Sequence, residues 1–399
     1  MKLVYITASS PWGSIEPFLL DEMLEMKDLG IDLLVIPRNP SKEIFNKNAD
    51  NLQNLSIWLP LINSQMAIVC LKASLSRSIF WKILFSIIKN SRNIKIAIKN
   101  LAVFPKGIFV AELIKNKNIK HIHAHWGSTT STMAFIISQI GKIPWSFTLH
   151  RWDIKENNLL EEKLNSASFV RCISEHGKSE LLNILGNKYL GKIHVIHMGV
   201  KIPEETRKFQ ENNELFLIII PANLLPVKGH RYLIEALSIL INRGISNFKC
   251  HFYGQGPLKE RLAIHIKNNN VDNFIEMLGT PISHEQLMNI FKNQNVGSVI
   301  LPSINTDDGE HEGIPVALME AMAYQIPVIS TETGGIPELI GDGSGIMIRE
   351  KDPESIANAI EKLMKNPSEY KLLAQKGMEK VKKDFNITSI STILLKMFN

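Results

Sequence analysis

Six consecutive apolar residues, Leu215–Ile220 (LFLIII), leave few options for the second half of this chain. The run is far too short for a membrane span, which needs about 20 residues, and its unbroken apolar character suits a strand buried on both faces. A loop, Pro221–Gly229, and a helical stretch, His230–Arg243, follow it. Further strands are expected at Lys249–Tyr253, Ile275–Leu278, Gly297–Leu301 and Pro327–Thr331, with helices between them. Strands alternating with helices specify a parallel sheet covered by helices.

The first half carries the same rhythm. Strand Leu3–Thr7 leads through the loop Ala8–Ile15 to a helix over Glu16–Leu29, stopped by Gly30, and then to strand Asp32–Ile36. Strands recur at His121–Ala124, Ser146–Leu149, Phe169–Cys172 and His194–Ile196; residues 64–104 and Ser131–Ile140 read as helical. Lys201–Glu214 is polar and is the expected linker. With 399 residues, 45% of them hydrophobic, two α/β domains are expected, 1–200 and 201–383. Paired lobes of this kind usually bind ligand in the cleft, at the carboxyl ends of their strands.

Three widely spaced cysteines, Cys70, Cys172 and Cys250, argue against a disulfide framework and a structural zinc site, and fit a reducing cytoplasm. No signal peptide is read in MKLVYITAS, and the apolar stretch Leu61–Ile88 is broken by Lys72, Arg77 and Lys82, so no transmembrane helix is expected. The net charge of +6 is uneven: residues 1–200 hold 24 Lys/Arg against 15 Asp/Glu, and residues 201–399 hold 21 against 24. No acidic residue lies between Asp50 and Glu112, a stretch that carries Lys72, Arg77, Lys82, Lys89, Arg92, Lys95, Lys99 and Lys106. On a helix, Arg92, Lys95 and Lys99 share one face, and Ile94, Ala97, Ile98 and Leu101 the opposite one. This reads either as an ordinary solvated surface or as a face for anionic lipid. Nucleic acid is disfavoured, because aromatic residues are not interleaved in an RNA-binding pattern.

The densest segment is Leu301–Glu338. Glu312 precedes Gly313-Ile314-Pro315 and a helical stretch, Val316–Tyr324, which contains Glu320. Proline suits the first helical turn, and the free N–H groups of that turn form an anion site. One carboxylate can then meet a sugar hydroxyl beside phosphates and the other a ribose; the bland alternative is two solvated glutamates.

These residues resemble the family-four retaining glycosyltransferases. The resemblance rests on Glu312-Gly313-Ile314-Pro315 through Glu320 and on Thr333-Gly334-Gly335-Ile336-Pro337-Glu338. Within the family it points to the colanic-acid and amylovoran branch of bacterial surface-polysaccharide synthesis, through HIHAHW (121–126), FTLHRWD (147–153), CISE (172–175), KIHVIHMGV (192–200), VKGH (227–230) and YGQGP (253–257). The resemblance implies the GT-B fold, two Rossmann-like domains with parallel sheets facing across a cleft, with a last helix, about 384–399, packed back on the first domain. It implies a cytoplasmic hexosyltransferase, free or peripheral on the inner face of the membrane. The donor would be a UDP- or GDP-sugar, and the acceptor lipid-linked or an oligosaccharide. No metal or other cofactor is implied.

By position, His150 reaches the donor sugar and phosphate, Lys228 neutralises the diphosphate, Glu312 meets sugar hydroxyls and Glu320 the ribose. Gly13, Gly254 and the backbone of Gly313, Ile314 and Pro315 complete the donor contacts. Glu16, His125, Arg151 and Asp153 fall on the acceptor side. Two departures stand out. Asn223 occupies the place of a usual arginine, with Arg151 as a substitute cation, and Ser14-Ile15-Glu16-Pro17-Phe18 replaces the branch's Ser-Glu-Thr-Phe. Departure of the diphosphate creates negative charge that Lys228 and helix N–H groups stabilise.

Other features have bland readings. His121, His123 and His125 alternate and face one way on a strand, which suits a metal or simply a strand ending at the cleft. Gly254-Gln255-Gly256 lacks the third glycine of a dinucleotide fingerprint, since Lys259 holds that position. The rival functions are a sugar-nucleotide epimerase on the same fold and a non-catalytic scaffold that binds a partner or membrane.

Overall fold

The computed structural model of the chain describes residues 1–11, 13, 16–41, 50–76, 78–205, 215–279 and 282–398. Most of the expected linker, from residue 206, lies outside the described residues, as do Ser14, Ile15 and Arg77. The chain divides into two compact units: Met1–His197 with Thr388–Asn399, and Met198–Ile387.

The first unit is built on a six-stranded sheet. Its strands are β1 (Lys2–Thr7), β2 (Asp32–Pro37), β3 (His121–His125), β4 (Trp145–Leu149), β5 (Phe169–Cys172) and β6 (Ile193–Val195). The order is β2-β1-β3-β4-β5-β6, and every pairing is parallel. The order reverses between β1 and β3. In an open α/β sheet the carboxyl ends beside such a reversal are left uncovered, because the crossovers leave in opposite directions.

The second unit repeats the plan with β7 (Phe216–Pro221), β8 (Phe248–Tyr253), β9 (Ile275–Met277), β10 (Val296–Leu301), β11 (Val328–Thr331) and β12 (Ile346–Ile348). The order is β12-β11-β10-β7-β8-β9, again parallel, with the reversal between β7 and β10. Val296–Leu301 is buried at every position, so the apolar strand has helices on both sides. The α/β class expected from the rhythm is the one observed.

Residues 64–104 are not one helical stretch. They form Ser64–Ser76, Ser78–Asn90 and the start of Ile94–Ile114, which continues through Pro105. The expected division of that last helix into a basic and an opposite apolar face needs correction. Its buried stripe is Ile96, Ala97, Asn100, Val103 and Phe104, while Ile94, Ile98 and Leu101 are exposed. Lys106 also leaves the basic surface. It is fully buried, and its ammonium donates to the carbonyls of Pro37, Arg38 and Leu59 at 2.7–2.8 Å. Three carbonyl dipoles replace the water that a buried ammonium loses.

The helix Ile387–Phe398 returns to the first unit. Phe398 packs 5.0 Å from the His121 ring, 5.2 Å from His123 and 5.8 Å from Phe169. Burial of such a ring contributes roughly 1.5–3 kcal/mol. Among the described residues, no helix is long and apolar enough to cross a membrane.

Candidate functional site

In the second unit, the loops after β7 and β10 meet at the sheet's reversal. From Pro221 the chain turns through Pro226–Lys228 and Gly229 into the helix His230–Asn242. Gly229 has φ +67°, and a Cβ there would lie 1.8 Å from the Pro302 carbonyl oxygen. Ile304 N–H donates to the Val227 carbonyl at 2.9 Å. These contacts fix the backbone under Lys228. Its ammonium lies 2.5 Å from Oε1 of Glu312, a carboxylate only 6% exposed. A carboxylate so buried needs a cation beside it, and the pair holds both groups at the carboxyl edge.

Glu312 is gripped from behind. Gly334 has φ +52°, and a Cβ there would lie 1.8 Å from the Glu312 carbonyl oxygen. A Cβ on Gly335 would lie 2.8 Å from the Ile314 side chain. The carbonyl of Glu312 also lies 2.8 Å from Nδ1 of His311. Pro315 caps the helix Val316–Ala323; its carbonyl accepts Leu318 N–H at 3.1 Å, and the N–H groups of Val316 and Ala317 sit at the positive end of the helix dipole. Glu320, on that helix, is 8% exposed and lies 2.6 Å from Nε2 of His284. The hydroxyls of Ser303 and Thr333 are buried without a hydrogen-bond partner among the described residues, just past β10 and β11.

Gly254 and Gly256 serve the loop rather than a dinucleotide. A Cβ on Gly254 would lie 2.1 Å from the Ala222 carbonyl oxygen, and one on Gly256 2.5 Å from that of Leu224. Leu224 N–H donates to the Gln255 carbonyl at 2.9 Å. Asn223 stands exposed on this seam, with no cation supplied at its own position.

In the first unit, the loops after β1, β3 and β4 converge at the reversal. Gly13 N–H closes a turn on the Ser10 carbonyl at 2.9 Å. Glu16 is fully buried, accepts Ser9 N–H at 2.7 Å and accepts the indole N–H of Trp126. Burial pushes its carboxyl up to about 7. Both of its oxygens are spent inside the protein, so Glu16 joins two loops. Asp153 behaves similarly: it accepts His150 N–H at 2.9 Å and is 3% exposed, and burial pushes it up to about 6. Arg151 stacks on Trp152, its guanidinium 4.7 Å from the ring centre.

The three alternating histidines are hydrogen-bonded across the sheet and do not converge on one point. His121 and His123 both lie 2.8 Å from the Ser146 hydroxyl, and His123 lies 3.0 Å from that of Thr148. His125 instead lies 2.7 Å, Nε2 to Nε2, from His150, whose ring stacks on Trp126 at 4.2 Å.

A directed chain of hydrogen bonds lies behind His150. Arg171, fully buried, donates to Glu22 at 2.7 Å. Tyr5 donates its hydroxyl proton to Glu22 at 2.6 Å, so its oxygen must accept from Nδ1–H of His125 at 3.1 Å. Burial pushes His125 well below its ordinary range and His150 down to about 3, so both rings are neutral. Nε2 of His125 is then an acceptor, and His150 must carry its proton on Nε2. This leaves Nδ1 of His150 as its basic nitrogen. Tyr5→Phe cuts the chain in the middle. It is expected to mix the His150 tautomers, read from ring-nitrogen NMR shifts, and to cost about 1–3 kcal/mol in stability.

A cavity of about 300 Å³ in the first unit has Arg38, Lys99, Ser128, Thr129 and Glu156 in its wall. Sequence reasoning missed Arg38, Trp126, Tyr5, Glu22, Arg171 and His284. Trp126 alone left a signal, at the end of the HIHAHW alternation.

Comparison with known proteins places this geometry. Residues 201–380 match the family model described as glycosyl transferases group 1. The putative colanic acid biosynthesis glycosyltransferase WcaL of Salmonella typhimurium is 35% identical over 52% of this chain and 50% of its own length. The chain thus spans about half the length of that relative. The amylovoran biosynthesis glycosyltransferase AmsK of Erwinia amylovora is 27% identical over 97% of this chain and 96% of its own. Among solved structures, Anabaena HepE in complex with UDP superposes with a TM-score of 0.71 at 17% identity, covering 99% of both chains. The fold is that of the GT-B glycosyltransferases, and residues 201–380, which carry Lys228 and Glu312, are similar to the group 1 glycosyl transferases.

Proposed function

We propose that the chain is a retaining glycosyltransferase. It moves a hexose from a nucleoside-diphosphate sugar, UDP- or GDP-linked, to a lipid-linked or oligosaccharide acceptor in the synthesis of a bacterial surface polysaccharide. The observation that carries this reading is the Lys228–Glu312 pair at the sheet reversal of a unit similar to the group 1 glycosyl transferases. A diphosphate arriving beside the helix Val316–Ala323 meets its N–H groups and competes with Glu312 for Lys228. As Lys228 turns to phosphate, the freed carboxylate of Glu312 accepts a sugar hydroxyl. Glu320 takes the ribose, and the orphaned hydroxyls of Ser303 and Thr333 gain partners.

The bond between the sugar's anomeric carbon and the phosphate oxygen breaks, and the acceptor oxygen bonds to that carbon from the same face. The acceptor proton passes to the departing phosphate oxygen. Charge developing on the diphosphate is balanced by Lys228 and the helix N–H groups, the work a metal ion does in other transferases. His150, neutral and placed at the carboxyl end of β4, is suited to lie against the donor sugar. The surface-polysaccharide role is supported by the likeness to WcaL and AmsK, and a uridine nucleotide by the ligand of HepE. The proposed place of action is the cytoplasmic face of the cell membrane.

The test is a thermal-shift series with UDP, GDP, ADP and their sugars. Ligand at a hundredfold excess over Kd adds about 2.7 kcal/mol, worth about 5–10 °C for a unit of this size. One nucleotide should stabilise wild type and fail with Lys228→Ala. No response to any nucleotide would favour the scaffold, and epimer formation without acceptor would favour the epimerase.

A further inference from the structure

Two adjacent helices of the first unit are apolar on both sides. On Ser78–Asn90, Phe80, Ile83 and Ile87 are buried in the core, while Trp81, Phe85 and Ile88 share the opposite, solvent-facing side. On Ser64–Ser76, Met66 and Ala73 are buried while Ile68, Leu71 and Leu75 face out. Leu75 is 82% exposed and Phe85 72%. The Trp81 indole donates to the Ser74 carbonyl at 2.9 Å, which ties the two helices together at their junction. On the next helix, Ile94–Ile114, Ile94, Ile98 and Leu101 are exposed as well. A helix that is apolar all round belongs inside a protein or against lipid, and an exposed patch of this extent marks an interaction surface.

The rim of this surface decides its occupant. Lys72, Lys82, Lys89, Arg92 and Lys95 are all exposed, and residues 51–111 contain no acid. A second copy of the chain seated here would bring like charges together. A membrane of anionic lipid supplies the opposite charge and an apolar layer for the side chains between the lysines. Aromatic residues such as Trp81 and Phe85 favour that boundary, and lysine stems lie along it with their ammonium groups in water. We propose that the helices Ser64–Ser76 and Ser78–Asn90 lie in the surface of an anionic bilayer, with Leu71, Leu75, Trp81 and Phe85 inserted and the lysines on the headgroups. This is a face that rests on the membrane and does not span it.

The proposal is tested without substrate, so it stands or fails apart from the assigned activity. The purified chain is sedimented with vesicles of equimolar phosphatidylglycerol and phosphatidylcholine, and with phosphatidylcholine alone. Wild type should partition to the anionic vesicles about tenfold or more better, and salt should weaken the binding. The Leu75→Ser/Phe85→Ser double variant should lose about tenfold or more of that partitioning, with an unchanged melting temperature because both side chains are outside the core. Lys82→Glu/Lys89→Glu should lose a similar factor. Three results would overturn the proposal: no binding to anionic vesicles, equal binding to both kinds, or a concentration-dependent dimer that Phe85→Ser dissociates. The last would assign the face to a second copy.

Discussion

Lys228→Ala is expected to lower kcat/KM for sugar transfer by about a thousandfold. Loss of one group that stabilises developing negative charge costs about a hundred- to a thousandfold. A second penalty comes from Glu312. With its cation gone, a carboxylate 6% exposed remains at the place where the diphosphate must sit. Removing one partner of a buried pair costs about 3–5 kcal/mol, and repulsion between the stranded carboxylate and phosphate weakens nucleotide binding further. Glu312→Gln separates the two effects. It keeps the cation and removes the competing charge, so nucleotide should still raise the melting temperature while sugar transfer falls. The Lys228→Ala/Glu312→Gln double variant should bind nucleotide better than Lys228→Ala alone, which a double-mutant cycle measures as coupling. Equal nucleotide affinity in wild type and Lys228→Ala would remove the pair from the donor site.

Gly334→Ala is expected to produce a large loss of stability from a single added methyl group. The residue has φ +52°, and the new Cβ would stand 1.8 Å from the Glu312 carbonyl oxygen. Left-handed backbone costs a non-glycine residue about 1–2 kcal/mol, and forced overpacking adds about 1–3. Together these lower the melting temperature of Met198–Ile387 by about 10 °C or more. Gly343 provides the control, because its φ is +83° and nothing lies within 4 Å of its Cβ position. Gly343→Ala should cost only the backbone term, about 5 °C. Gly334→Ala should also lose nucleotide binding, since relief of the clash moves the Glu312–Ile314 backbone. Equal shifts for the two variants would mean that Glu312 is not held from behind by this glycine.

Much of the fold is legible in the sequence because it is encoded locally. Leu215–Ile220 shows itself as a strand through unbroken apolar character, and the loops that follow β7 and β10 are placed by rhythm alone. β12, Ile346–Ile348, is not among the strands expected from that rhythm. The misread helix is Ile94–Ile114. There, apolar residues at Ile94, Ile98 and Leu101 were set against the basic face as its natural opposite, but the core takes a different stripe. Periodicity identifies a helix with two apolar rows without saying which one the protein covers. The support of the site is harder still. Glu22 and Arg171 are 149 positions apart and Glu320 and His284 are 36, and each looks alone like any surface charge. Their partnership exists only after the sheet has put the strands in order.

The return of the chain to its first unit sets the timing of that unit's assembly. Met1–His197 lacks its last helix until the whole of Met198–Ile387 has been made. At about 5–20 residues per second, the gap is roughly ten to forty seconds of synthesis. Throughout it the sheet around His121, His123 and Phe169 lacks the ring of Phe398 that covers it. The nascent first unit therefore emerges from the ribosome with this face of its sheet open to chaperones or to other nascent chains. The second unit, continuous in sequence, can close its core while still on the ribosome. An expression defect in variants of the helix Ile387–Phe398 would then appear as aggregation during synthesis, even where the finished protein is stable.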